Sequence, residues 1–405
     1  MKQFNYIFFL IFILSIKLIH SQDISEDYKQ EIINSLSIIN EDSSNTIHYG
    51  GNAIDQVIEY EIHEAIPAII QNIWRQDPYY QTNFITALEV LDADETESFA
   101  LALLDSIDSY DPERIPLFFT KLKLKLSVVR DLFDLGNYSK YQIVFDRIEE
   151  AKPDLEPGVI FMLPEIIWHY PEHEERAKEE LIRFAYESSD DTYRWYAIVN
   201  IDTVYGADML ELYIDFFKTD SEYSTRLGIL EHILVKYKSE NVNSVLRQRL
   251  SEDPVGFNRY KIAEHLLKYY SSPSDYEFIK NYIPEEIEEE YREYIASEVE
   301  DFRPPKPDSS IEDEVMLDTL ISYVDQSYKN KWINNRGIYN SLSKKLKNAK
   351  KNFGKGNSKS IIKKIEAFQN EVEAQKGKHI TEDGYKFLYY YSNYLVERLN
   401  AGEIK

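Results

Sequence analysis

Cysteine is absent from the 405 residues. That excludes disulfides, thiolate metal sites and thiol nucleophiles, and with them an anchor attached through a cysteine. Glycine (13) and proline (14) are sparse, which disfavours β architectures that need a turn about every ten residues. Past the N-terminal segment no apolar run approaches the length that spans a bilayer, so no transmembrane segment is expected in the mature chain. No G-x-S-x-G is found, so the usual serine-hydrolase elbow is missing. What is present is a 43% hydrophobic composition and 14% aromatics, 32 of them tyrosine. That is enough to build a core and unlike a disordered chain. An all-α fold is expected.

The net charge is −25, but it is unevenly placed. From Tyr328 to Lys405 there are 17 Lys+Arg against 7 Asp+Glu, and the rest holds 29 basic and 64 acidic residues. Two surfaces of opposite character follow. The acidic part is a poor match for nucleic acid or an anionic membrane. The basic end can take an anion or dock on the acidic part.

The segment Met1 to Gln22 reads as a signal peptide. Lys2 gives the positive start, Ile7 to Leu14 the short apolar run, and cleavage after Ser21 leaves residues 1–21 outside the mature chain. A secreted or periplasmic (cell-envelope) location follows from it as an expectation.

The middle of the chain repeats itself. Arg194, Arg226 and Arg259 head RWYAIVNIDTVY, RLGILEHILVKY and RYKIAEHLLKYY. The second and third share Glu231-His232 with Glu264-His265, and close on Tyr237 and Tyr270. Each is followed by a polar break and a second apolar-periodic run. A period near 33 with two helical runs per unit means stacked helical hairpins. In the second unit Leu227, Leu230 and Leu234 form one stripe; Tyr260, Ala263 and Leu267 repeat it in the third. The array is expected over 27–302 and is clearest at 192–285. Upstream, a helix is expected over Ala53–Trp74 with a kink or boundary at Pro67, and further helices over Gln81–Leu91, Thr96–Ile107, Pro112–Leu135, Tyr138–Ala151, Gly158–Trp168 and Glu172–Glu187.

Arg303-Pro304-Pro305-Lys306-Pro307 cannot be helix interior. A stiff linker over 303–309 is expected, holding a separate basic helical bundle at 310–400. In that bundle Leu342, Leu346, Ala349 and Phe353 mark one apolar face, and Ile361, Ile365, Phe368 and Val372 another. Gly377 is placed to end a helix as a left-handed cap, and Thr381 to start the next.

Two resemblances follow from these stretches. Residues 192–285, and 53–190 less closely, resemble the HEAT-type repeats of α-solenoids. The run Gly337-Ile338-Tyr339-Asn340-Ser341-Leu342, with Gly356-Asn357 and Ala367-Phe368-Gln369-Asn370-Glu371-Val372-Glu373-Ala374-Gln375-Lys376-Gly377-Lys378-His379-Ile380, resembles the FIMAH domain over about 314–399. Gln369 stands where that pattern has an apolar residue, and Tyr389-Tyr390-Tyr391 lie outside it. The resemblance implies an exported bacterial protein and an accessory module that brings no catalytic residues. That module often accompanies hydrolases.

No constellation of catalytic type survives comparison with its simpler structural reading. His169 and His173 are four apart, but Pro171 separates them, so a shared zinc-binding helical face is not expected. His63-Glu64 begins H-E-x-x-H, but Pro67 occupies the second ligand's place. The Glu-His pairs recur at the repeat period and read as contacts between units. Asp92, Asp94, Glu95 and Glu97 lack the glycine of a calcium loop and read as an acidic loop with capping aspartates. Gly354 to Ser360 lacks the phosphate-loop spacing. Glu285 to Glu290 reads as a solvated helix face. No catalytic, cofactor-binding or metal residue is assigned, and no cofactor.

The reading is an all-α protein: a HEAT-like superhelix of helical hairpins followed by a small helical bundle. The function expected is a non-enzymatic scaffold that binds a protein partner through an acidic, tyrosine-rich surface, which suits a basic partner. Glycan binding through the C-terminal module is the further partner class; nucleic acid is not expected. The alternative is a secreted hydrolase-like enzyme with carboxylates in a groove, acting on polysaccharide or another envelope polymer.

Overall fold

The computed structural model describes residues 24–37, 49–111, 115, 120–353 and 358–401. The signal-peptide segment, residues 38–48 and Gly354–Asn357 lie outside them. The described residues are helical, with isolated bridges at Ile333, Lys376 and Ile380 in place of strands. The protein is all-α. The chain divides into two compact units, up to Met209 and from Leu210 on.

In the first unit the helices Tyr49–Glu59, Pro78–Val90, Thr96–Ile107, Lys121–Asp134, Gln142–Ala151, Leu163–His169, Glu174–Glu187 and Asp191–Tyr205 follow in order. Helices pack on the next, and in places on the next but one. Pro78–Val90 touches Lys121–Asp134, and Leu163–His169 touches Asp191–Tyr205. That is the contact pattern of stacked hairpins. The core is the set of inward stripes, among them Phe84, Leu103, Leu132, Phe145, Ile166 and Phe184.

The helix expected across Ala53–Trp74 is broken. It ends at Glu59, Glu61 turns left-handed (φ 47°), and Pro67 sits in the first turn of the next helix, Ile66–Asn72. Pro67 is thus a start and not a kink, because the first turn needs no N–H from it. At Thr96–Ile107 the bounds agree, but no aspartate caps the helix. Glu95 occupies the cap without a side-chain bond, and Asp92 takes the left-handed turn (φ 53°).

The second unit holds two layers. One is formed by 223–234, 256–270 and Glu289–Asp301; the other by Leu210–Thr219, Glu240–Glu252 and Pro273–Tyr282. Two helices of the first layer end in π turns, Ile229–Leu234 and Leu266–Tyr270. Four further helices, Asp313–Lys329, Arg336–Phe353, Ser358–Gln375 and Glu382–Asn400 (the last with a π turn, Lys386–Tyr390), pack in a ring. Leu317, Leu346, Ile365, Phe368 and Leu395 fill its centre. Gly377 is left-handed (φ 73°), and the Thr381 hydroxyl accepts the Gly384 N–H, as expected.

The bundle is not held apart on a tether. Asp313–Lys329 packs beside Pro273–Tyr282, continuing the second layer. The Tyr276 ring meets Phe302, Trp332 and Phe387 at 5.1, 5.7 and 5.5 Å. Its hydroxyl donates to Asp383 at 2.8 Å, and Lys280 reaches the same carboxylate at 2.6 Å. The proline segment itself is packed: Phe302 and Pro304 are buried, and the Tyr394 hydroxyl donates to the Pro304 carbonyl. A stacked array leaves an apolar end that must be covered, and this bundle covers it.

Candidate functional site: an aromatic face on a ladder of buried arginines

The repeat arginines do not point at solvent. Arg226 and Arg259 are 2% and 3% exposed, so they act inside the stack. Arg226 donates through Nε and an Nη to both oxygens of Asp253, at 2.9 and 3.0 Å, and to the Asp220 carbonyl at 2.7 Å. Arg259 repeats this one period later, on Glu286 at 2.8 and 2.5 Å and on the Asp253 carbonyl at 2.8 Å. Arg194 donates to the Ser188 carbonyl at 3.0 Å, six residues back as in the other two. Each carboxylate also accepts the N–H two residues on: Glu222 on Asp220, Val255 on Asp253, Glu288 on Glu286. The guanidinium of Arg226 or Arg259 therefore locks the leading turn of its own repeat to the leading turn of the next. Bidentate arginine suits that task because its planar fork fixes direction as well as distance.

Burial pushes the Glu286 carboxyl up, but the Arg259 fork, the Glu288 N–H and the Tyr282 hydroxyl outweigh it and hold the group at about 2. Arg259 is raised in turn by its bond to Glu286. Glu286 was expected on a solvated face and is instead 2% exposed. Arg292 is the next member, 33 residues past Arg259, and was not singled out from sequence. Its Nε is buried without a hydrogen-bond partner. The signal was a carboxylate six residues before an arginine, present in Asp220, Asp253 and Glu286.

Locking the turns brings the first-layer helices close. An added Cβ on Gly256 would lie 2.3 Å from the Glu288 carboxylate and from the Tyr291 ring. Gly256→Ala is expected to cost about 1–3 kcal/mol, as overpacking does; urea unfolding with Trp332 fluorescence measures it.

That closeness assembles an aromatic face. Phe257 and Tyr260 from one helix meet Tyr291 and Tyr294 from the next. Ring centroids are 6.3 Å apart for Phe257–Tyr291 and 5.6 Å for Tyr260–Tyr294. Tyr294 is 46% exposed. Carboxylates rim the rings: the Tyr294 hydroxyl donates to Glu290 at 2.8 Å, and the Tyr260 hydroxyl is raised by burial and then by Glu264 and Glu298. Lys261 already shows what such a face accepts. Its ammonium lies 5.9 and 5.6 Å from the Phe257 and Tyr260 centroids, 2.8 Å from Glu264 and 3.5 Å from Glu231 of the preceding unit. The arrangement recurs on Tyr269, with Lys238 and Lys268 at 4.8 and 5.1 Å.

The other sequence candidates fall elsewhere. Glu231 and Glu264 serve contacts through Lys261, as the repeat period implied. Their histidines differ: His232 is exposed, whereas His265 is buried, and burial, then Lys238 and Lys268, push it down to about 4. His169 stacks on Tyr138 at 4.1 Å beside Glu165, while His173 lies 3.0 Å from the Tyr141 hydroxyl. Each has its own aromatic partner, and the two do not converge. His63 and Glu64 are exposed. Among the described residues no three His, Asp or Glu side chains gather as a metal site. Asp131 stands out in the first unit. It is 1% exposed, accepts from Thr86 at 3.0 Å, and burial pushes it up to about 7 against Arg130 and Thr86. It is enclosed by its own helices, so it cannot meet a polymer.

These features define a class: stacked helical hairpins, ordered by a buried arginine ladder and closed by a four-helix bundle. Residues 317–397 match the family model of the FIMAH domain. The match covers the bundle, and supports reading it as a non-enzymatic helical module of a bacterial protein. No curated protein matches the chain in sequence. No helix among the described residues is long and apolar enough to cross a membrane.

Proposed function

We propose that the protein is an exported, non-enzymatic scaffold, built on HEAT-like repeats, that binds a basic protein partner through the face around Phe257, Tyr260, Tyr291 and Tyr294. The observation that carries this reading is Lys261. Within the fold, a lysine ammonium already sits between carboxylates and the Phe257 and Tyr260 rings of that face, and the neighbouring Tyr294 ring is open to solvent. A cation over a ring is worth about 0.5–2 kcal/mol, and tyrosine is among the residues that carry binding energy at protein interfaces. The excess of carboxylates over the rest of the chain steers a basic partner toward it.

The test is titration of the full chain with a lysine-rich peptide, followed by calorimetry. Tyr260→Ala with Tyr294→Ala is expected to weaken binding by about tenfold or more, from about 1–2 kcal/mol at hot-spot positions. The parent affinity is expected to fall steeply with salt. Binding unchanged by both substitutions would remove this face from the account.

A further inference from the structure

We propose that the side of the four-helix bundle made by Arg336–Phe353 and Ser358–Gln375 is a docking surface for an anionic phospholipid bilayer. Between Asp325 and Glu366 the sequence runs 40 residues without a carboxylate and with 12 Lys and Arg. No other part of this acidic chain is so one-sided. The fold then sorts these cations. Lys345 pairs with Glu371, and Lys350 lies 2.7 Å from Asp318, both carboxylates from neighbouring helices of the ring. Lys344, Lys347, Lys351, Lys359, Lys363 and Lys364 are exposed, and no carboxylate among the described residues pairs with them.

Their spacing gives the surface its form. Lys344, Lys347 and Lys351 are three and four apart, on one stripe of the first helix. It lies opposite Leu342, Leu346 and Ala349, which face the bundle centre. Lys359 and Lys363 repeat this opposite Ile361, Ile365 and Phe368 on the second helix. The two helices are neighbours in the ring, so the cations spread over one broad side of the module. A broad side favours a plane of charge over a single strand. Apart from Arg336 at the start of the first helix, the exposed cations of this side are lysines, which act as point charges without the planar fork that reads bases or stacks on them. Such a side adsorbs to phosphate headgroups by charge alone. The acidic repeats are repelled by the same surface, which orients the bundle toward it. The inference stands apart from the aromatic face, which lies on other helices.

Each lysine near an anionic bilayer strengthens partition about fivefold. The experiment is co-sedimentation of the full chain with phosphatidylglycerol–phosphatidylcholine vesicles and with phosphatidylcholine vesicles alone. The expected result is salt-sensitive binding to the first and none to the second. The variant Lys347→Gln, Lys351→Gln, Lys363→Gln, Lys364→Gln should lose at least about a hundredfold in partition, with its melting temperature kept. Neutralising Lys152, Lys218, Lys268 and Lys306 elsewhere should change little beyond the general rise in negative charge. Equal binding to both vesicle types, or full binding by the first variant, would overturn the proposal. So would tight capture of linear polyphosphate that displaces the vesicles, which would make the occupant a free polymer. Salt-sensitive self-association lost in the same variant, without vesicle binding, would make it a second copy of the chain.

Discussion

Replacing Arg259 by methionine lowers the stability of the unit from Leu210 on by about 3–5 kcal/mol. That is the range for removing one partner of a buried ion pair. The cost comes less from lost attraction than from what remains. Glu286 is 2% exposed and would keep only the Tyr282 hydroxyl at 2.7 Å and the Glu288 N–H at 3.0 Å. The Asp253 carbonyl loses a donor as well. Urea unfolding read through Trp332, the single tryptophan from Leu210 on, gives the number. A loss within about 0–1 kcal/mol, the range of surface pairs, would mean that the ladder does not hold the units together. Adding Glu286→Leu should recover much of the loss, since a pair of apolar side chains leaves no buried charge.

The same pair sets a pH limb. Glu286 is held at about 2 against its ordinary 4.5. Its folded value is depressed, so its contribution is complete above about pH 4.5 and is lost as pH falls toward 2. In the Arg259→Met protein that limb should flatten.

Asp131→Asn is the second large effect, of opposite sign. Asp131 is raised to about 7 from 3.8. Between those values the folded chain keeps a proton that the unfolded chain releases, so rising pH destabilises the protein across that window. At about 1.4 kcal/mol per unit the penalty reaches about 4 kcal/mol by pH 7 and grows no further above it. Asparagine has nearly the same shape, keeps an oxygen to accept from Thr86 and carries no charge. The stability difference, variant minus parent, should therefore be near zero at about pH 4 and climb to a few kcal/mol by pH 7 to 8. Unfolding curves at several pH values, read by far-ultraviolet circular dichroism, test it. A difference that does not depend on pH would place the Asp131 carboxyl in contact with water.

The repeat was legible because its marker is chemical. An arginine every 32 or 33 residues stands out against a background of leucine and tyrosine. Arg292 was lost in the acidic run around it, where Glu286 looked like one more solvated carboxylate. Only its bidentate contact with Arg259 reveals that it is interior. The π turns could not be read, because the stripe Leu227, Leu230, Leu234 is nearly the same for an α-helix and for a locally widened one. The docking of the bundle was hidden for a different reason. Three prolines and a change in charge sign look like a boundary, and they say nothing of Tyr276, Phe302, Trp332 and Phe387, which are far apart in sequence and meet only in three dimensions. Phe302 beside the prolines was the one local sign that this segment is buried. The aromatic face was legible as composition, 32 tyrosines, but its location depends on the closeness that Gly256 permits.

The packing of the bundle also fixes how function should be probed. Cutting the chain near Phe302 would uncover the Tyr276 and Phe302 rings, and the new apolar end would itself capture proteins. Point variants on the full chain avoid this.

The most direct measurement is capture from envelope and medium fractions of the source organism, with the full chain and its Tyr260→Ala, Tyr294→Ala variant as paired baits. Prey would be identified by mass spectrometry and bound glycan assayed alongside. The account predicts a discrete basic protein, held by the parent, released by salt and missing from the variant. The same prey on both baits, or glycan alone on both, would contradict it and move function away from the aromatic face.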